Sequence, residues 1–231
     1  MCFPEASGVS REATMKSDPS CPRCGRAVHP PGLWSSAWQC GVHGPVAPLQ
    51  PLHAPSTASL EFLIASAQVP MWVPWPLPTG WVITGFAHAG DDRSGALAIA
   101  VALSGPAPLG GVGEMAVVAE DPGVGLAARL ARLEGPDPGD GFDGGPADGK
   151  VRYDGHEIAL WSVDAGKEHA VYAGEALASW LWFVLSPADV GVMMCEINGV
   201  RDLRDRHDGG AAQEPPFGAP SPFLTEALRP L

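Results

Sequence analysis

Helical spacing of apolar residues is rare in this chain, and continuous or alternating apolar runs between Gly/Pro-rich breaks are common. Residues 57–68 carry the helical pattern. Leu60, Leu63, Ile64 and Ala67 share a face, Thr57 or Ser59 is placed to cap it, and Pro70 ends it. The runs Trp81 to Ala87 and Ala96 to Leu103 predict two strands joined by Gly90-Asp91-Asp92-Arg93-Ser94-Gly95, and Glu114 to Ala119 predicts a third. A second helix is expected over 123–133, with Leu126, Leu130 and Leu133 on one face and Gly135 as its stop. The Gly/Asp/Pro run 135–149 reads as a loop, and 150–163 as a hairpin turning at Asp154-Gly155. His169 to Ala173 predicts an edge strand, and Trp180 to Leu185 a strand buried on both faces. Ser186-Pro187-Ala188-Asp189 has the form of a helix start, yet the apolar run Val190 to Ile197 favours a strand. Strands outnumber helices and successive pairs have hairpin-length links. The fold class is therefore α+β, a mainly antiparallel sheet with two or three helices.

The ends and one internal segment lack such patterns. Residues 1–19 are polar and predict disorder, Pro45 to Pro55 reads as a linker, and 207–231 reads as a disordered Pro/Gly-rich tail in which only Phe223 to Leu228 has helical character. The expected organisation is a small unit over 20–50 and an α+β domain over 56–206. In Met71-Trp72-Val73-Pro74-Trp75-Pro76-Leu77-Pro78 the prolines bias the backbone to an extended form. Trp72, Trp75 and Trp81 there read as a lid on the sheet, with a ligand-stacking surface as the alternative.

The small unit contains the most specific motif. Cys21-Pro22-Arg23-Cys24 and Cys40-Gly41-Val42-His43 supply two ligand pairs at the spacing of a tetrahedral zinc ribbon, so Cys21, Cys24, Cys40 and His43 are the expected ligands. Gly25 and Gly44 follow the two pairs and permit tight turns. His29 is the competing fourth ligand, at poorer spacing. Four protein ligands close the shell, which makes the expected zinc structural. So small a unit has little core of its own and depends on the ion to fold. Cys2 and Cys195 are left over, and the cysteine pattern fits a reduced, cytoplasmic setting better than a disulfide framework. No run is long and apolar enough to span a bilayer, and the N-terminus lacks a signal-peptide pattern.

Charge separates the two parts. The net charge is −12 over 231 residues, but Arg11, Lys16, Arg23 and Arg26 slightly outnumber Glu5, Glu12 and Asp18 in the first fifty. An acidic body repels a phosphate backbone, which leaves the ribbon, through Arg23, Arg26, Trp34 and Trp38, as the one place for nucleic-acid contact. Among catalytic candidates, Asp91, Asp92 and Arg93 form the best polar constellation, with His88 nearby as a base. Such a set would suit a hydrolase or an acyl or phosphoryl transferase. Asp and Arg are equally ordinary in a solvent-facing turn. Gly105 to Gly113 lacks the Lys-Ser/Thr ending of a P-loop, Glu120 and Asp121 would oppose a phosphate at Gly123-Val124-Gly125, and no serine elbow is present.

Several strings recur in a fixed order: the ribbon signature, Val69 through Trp81, Ala89-Gly90-Asp91-Asp92-Arg93-Ser94-Gly95, Ser104 through Gly111, Gly123-Val124-Gly125-Leu126 and Leu203-Arg204-Asp205. Together they resemble an uncharacterised actinobacterial family, a domain of unknown function with an N-terminal zinc ribbon, across roughly residues 15–206. The resemblance implies an actinobacterial cytoplasmic protein and transfers no catalytic residue. The leading expectation is a non-enzymatic binding or regulatory protein whose ribbon contacts a protein partner. A small-molecule enzyme and ribbon-borne nucleic-acid binding are the alternatives.

Overall fold

A computed structural model describes residues 18–33, 35–205 and 215–230. Three short antiparallel strands, β1 (Val28–His29), β2 (Gln39–Cys40) and β3 (Gly44–Pro45), form an N-terminal Cys/His module. Helix α1 (Thr57–Ser66), β4 (Trp72–Pro74), β5 (Val82–Asp91), β6 (Gly95–Pro106), β7 (Val112–Glu120) and helix α2 (Leu126–Leu130) follow. The chain then forms β8 (Gly149–Tyr153), β9 (His156–Val163), β10 (Ala170–Ala176), β11 (Ser179–Ser186), a 3-10 helix at Ala188–Cys195, β12 (Val200–Asp202) and helix α3 (Pro222–Ala227). A seven-stranded sheet runs in the order β5-β6-β7-β11-β10-β9-β8 with antiparallel neighbours throughout. The class is α+β, with a Cys-containing module at the N-terminus. Of the disorder expected over residues 1–19 and 207–231, positions 1–17, 207–214 and 231 lie outside the described residues, as does Trp34.

The central strands are apolar at almost every position because both faces of the sheet are covered. On β6, Ile99, Val101 and Leu103 join one core with Leu60, Leu63, Trp72, Val190 and Met193. Ala98, Ala100 and Ala102 point the other way, into a second core with Leu126, Leu130, Leu224 and Leu228. The period of two distributes large and small residues between the faces. The alanine face lets α2 and α3 approach the sheet closely at interior packing density.

The segment expected to be a linker is a strap along the sheet edge. Gly90 donates to the Pro48 carbonyl at 2.9 Å and Gln50 to that of His88 at 3.0 Å, while His53 and Phe86 exchange backbone bonds of 2.9 and 3.0 Å. Leu49 is buried in the alanine-side core. The strap satisfies backbone groups that an edge strand would otherwise expose. Its prolines concealed this role, since they break the periodicity without preventing edge pairing by their neighbours.

Five further expectations change. The strand expected at an edge over His169 to Ala173 is β10, paired on both sides between β11 and β9. Of the run 190–197, residues 190–195 lie in the 3-10 helix Ala188–Cys195 rather than in a strand. That helix starts without the expected serine cap: Ser186 ends β11, and Pro187 stands at the N-cap with no side-chain cap bond. The helix expected over 123–133 is shorter, because Gly123 and Gly125 both hold φ near +86° and postpone its start to Leu126. Ser56, one residue before the anticipated caps, accepts from the Ser59 N–H at 3.1 Å to start α1. The tail over 215–230 is ordered: Ile83 donates to the Pro216 carbonyl at 2.8 Å, Ser221 caps α3, and Leu224 and Leu228 are buried. Its Gly/Pro content hid two leucines that complete the core beside α2. Of the three clustered tryptophans, Trp72 and Trp81 are buried, whereas Trp75 is 38% exposed with the Arg201 guanidinium 4.9 Å from its ring centre.

Candidate metal centre and the cleft beside it

Two tight turns bring the Cys/His ligands together. Gly25 closes the first by donating to the Cys21 carbonyl at 2.8 Å, with φ at +75°, a conformation that favours glycine. The second follows β2, where the Val42 N–H donates to Cys40 Sγ at 3.5 Å and Gly44 holds φ at +69°. The ligand atoms of Cys21, Cys24, Cys40 and His43 lie within 4.8 Å of one another. Cys24 Sγ and Cys40 Sγ are 3.8 Å apart, and His43 Nδ1 is 3.5 Å from Cys21 Sγ and 3.7 Å from Cys40 Sγ.

These separations fit a metal ion. Around a tetrahedral centre with bonds of about 2.3 Å to sulfur and about 2.0–2.1 Å to nitrogen, the S–S edge is about 3.8 Å and the S–N edge about 3.5 Å. Cys21, Cys24, Cys40 and His43 thus lie close enough to bind a metal ion, and the exposed His29 lies outside the cluster. Burial pushes the Cys21 thiol up to about 12, with Cys40 and Cys24 as further raising neighbours. Burial also acts to raise Cys40, but bonds from Val42, His43 and Cys21 outweigh it and bring that thiol down to about 6. One thiol of the cluster is thus ready to ionise, and a cation would draw off the remaining protons.

The module is fastened to the sheet domain. Arg129 on α2 donates to the Cys21 carbonyl at 3.1 Å and the Arg229 carbonyl at 2.7 Å. Burial lowers the Arg129 pKa, while Cys21 and Cys24 act to raise it. Three thiolates around a divalent ion carry a net negative charge, which this guanidinium opposes. A methyl group added at Gly25 would sit 2.6 Å from Arg129 Nη2 and 3.1 Å from the Arg229 carbonyl oxygen, so the guanidinium would have to shift, and φ of +75° there itself favours glycine. Arg23, a candidate nucleic-acid contact, is held by the body: its guanidinium donates to the Gly123 and Val124 carbonyls. Arg26 is exposed. Ser20 and Leu49 exchange backbone bonds of 2.9 and 2.7 Å, joining the module to the strap.

A cleft of about 910 Å³ opens where the module, the strap, α1 and the β5–β6 turn meet, lined by Trp38, His53, Phe62, His88, Asp91 and Arg93 among others. Asp91, Asp92 and Arg93 all border it. Asp91 has two local tasks. Its Oδ1 accepts from the Arg93 and Ser94 N–H groups at 3.0 and 2.8 Å and the Ser94 hydroxyl at 2.9 Å, and its Oδ2 accepts from Trp38 Nε1 at 2.9 Å. Burial acts to raise its carboxyl, but the Ser94, Trp38 and Arg93 donors hold it below the usual range. Asp92 and Arg93 are exposed on the turn.

Sequence reasoning did not single out His53, which lies 35 residues from His88. Only the strap's pairing with β5 reveals their contact, His53 Nε2 to His88 Nδ1 at 3.1 Å. Phe62 on α1 completes the group, with ring centroids 5.3 Å from His53 and 6.2 Å from His88. Burial lowers the pKa of His53, and burial together with repulsion from His53 lowers His88 to about 4. Both rings are neutral near pH 7.

Among the described residues, no helix is long and apolar enough to cross a membrane. No curated protein and no solved structure matches the chain. The model of the family of unknown function DUF6758 matches residues 15–224, which takes in the Cys/His cluster, the cleft and the first half of α3, and the chain belongs to that family.

Proposed function

We propose that this is a non-enzymatic, cytoplasmic binding or regulatory protein whose N-terminal module is a zinc ribbon that contacts a protein partner. The ligand set of three thiolates and one imidazole suits zinc, and four protein ligands make the ion structural. The observation that carries the partner reading is the contrast within the module. Arg23, Trp38 and the Cys21 carbonyl tie it to the body, while Leu33 is 99% exposed and Val42 56% exposed. Exposed apolar side chains on a module held in place offer a partner a contact with little ordering cost.

The test combines metal content with partner capture. Purified protein should carry about one zinc per chain, as a four-ligand site requires. A Leu33→Ser/Val42→Ser variant should keep its zinc and lose a partner that the wild-type chain captures. Recovery of the same partners by both proteins would remove the reading.

A second reading, a hydrolase or an acyl or phosphoryl transferase, draws support from Asp91, Asp92 and Arg93 bordering one cleft with His53 and His88. The engagement of both Asp91 oxygens leaves Asp92, Arg93 and the histidines to carry such chemistry. Nucleic-acid binding would rest on the exposed Arg26, since Arg23 is committed to carbonyls of the body and the net charge of −12 opposes phosphate.

A further inference from the structure

His53 and His88 are the most chemically capable pair outside the Cys/His cluster. They come from separate elements, the strap and β5, and meet on the wall of a solvent-connected cleft. His53 Nε2 and His88 Nδ1 are 3.1 Å apart, with ring centroids at 5.0 Å and planes inclined by 35°. Two cis ligands at about 2.0–2.1 Å from one transition-metal ion are separated by about 2.9 Å at a right angle and about 3.4 Å at the tetrahedral angle. The observed distance falls between these values.

We infer that His53 and His88 form a second metal site, an exchangeable one for a borderline divalent transition-metal ion such as Ni²⁺, Co²⁺ or Zn²⁺, reached through the cleft. Imidazole nitrogen selects this class over Mg²⁺ or Ca²⁺, which require oxygen ligands. The two neutral rings carry two N–H protons in all. One bridges the rings and the other sits on an outer nitrogen. Metal entry moves the bridging proton to the vacant outer nitrogen of the same ring, so both facing lone pairs turn to the ion and no proton is released. Phe62 screens one flank of the pair. Asp18, Asp91 and Asp92 around the cleft outnumber Arg93, giving a field that favours a cation. Two protein ligands leave the remaining coordination positions to water. The ion would therefore exchange readily and remain open to a ligand arriving through the cleft.

This inference is independent of the partner reading and is tested on the intact chain with its Cys/His cluster loaded with zinc. Ni²⁺ alone is titrated by calorimetry, followed by elemental analysis. We expect about one nickel per chain added to about one zinc, as two separate sites of these ligand types require. Nickel heats should be indifferent to the buffer's ionisation enthalpy. His53→Gln and His88→Gln should each weaken nickel binding at least tenfold, roughly the loss of one ligand, and leave zinc unchanged. His156→Gln, at an exposed histidine, should have no effect. To guard against variants that fold poorly, the ring signals of His53 and His88 in the wild-type protein are followed by NMR during nickel addition and should broaden selectively. Absence of nickel uptake, broadening confined to other histidines, or nickel binding undiminished in both folded variants would each overturn the proposal.

Discussion

Trp38 and Asp91, 53 residues apart, join the N-terminal module to the β5–β6 turn through a 2.9 Å bond from the indole N–H to Oδ2. The same carboxylate closes the turn through its other oxygen, so one side chain shapes the hairpin and anchors the module. Trp38→Phe keeps most of the ring and removes the donor. We expect a loss of about 1 kcal/mol, the net worth of one such bond, seen as a melting shift of about 2–4 °C for a chain of this size. Asp91→Ala removes the turn bonds as well and should cost more. A smaller effect for Asp91→Ala than for Trp38→Phe would contradict this double role.

Removing the metal should act first on the module. On the zinc reading proposed above, Cys40→Ser, or strong chelation of the wild-type protein, would leave a unit of two-residue strands without an ion to organise it. The seven-stranded sheet has two cores of its own and should persist, with far-UV circular dichroism retaining its strand signal. Tryptophan fluorescence should change because Trp38 leaves Asp91. Global unfolding on chelation would show instead that the sheet domain depends on the module.

Arg129 links the metal centre to the far end of the chain, with the Cys21 carbonyl on one amino group and the Arg229 carbonyl on the other. Arg129→Met preserves the apolar stem and removes both charge-assisted bonds, each worth about 1.5–3 kcal/mol where sheltered and less where solvent reaches it. On the zinc reading, we expect faster loss of the ion to a chelator and increased protease sensitivity after Ser221. Gly25→Ala should reproduce the first effect, since its added methyl group meets the same guanidinium and φ there is +75°. Unchanged zinc release in both variants would separate Arg129 from the metal centre.

How much the sequence discloses depends on how local each feature is. The pairs Cys21/Cys24 and Cys40/His43 are legible because each spans only a few residues, and the four side chains that this spacing picks out do lie together, with His29 outside the group. The alternation of Ala98, Ile99, Ala100, Val101, Ala102 and Leu103 marks a strand covered on both faces. The contact of His53 with His88 has no local signal, because it depends on how the strap registers against β5. The same is true of Trp38 with Asp91, although each residue drew attention by itself. The tail misled for a related reason: Leu224 and Leu228 fill a core built by other elements, which composition cannot reveal. Periodicity reports what a segment does for itself, and the residues joining the two parts of this protein act on distant neighbours.

The last expectation concerns Glu120, fully buried at the end of β7. Its Oε2 accepts from the Leu126 and Ala127 N–H groups at 2.8 and 3.4 Å, while Oε1 has no hydrogen-bond partner among the described residues. Burial raises its pKa from an ordinary 4.5 to about 8; repulsion from Asp137 adds to this, and the amide bonds oppose it. A raised folded-state value means that the native protein holds a proton the unfolded chain has released. The resulting stability is full below about 4.5 and is lost as pH rises through about 8. Glu120→Gln keeps an acceptor for the two amides and cannot ionise. In metal-loaded protein, denaturant melts should show the variant gaining on wild type as pH climbs from about 4.5 to about 8, where only the native chain holds the proton, with the gap levelling off above that range. The gap should be smallest at and below about 4.5, where Glu120 is protonated in both states. Parallel pH profiles for the two proteins would mean that Glu120 is already ionised when buried, with a counter-charge that its surroundings do not display.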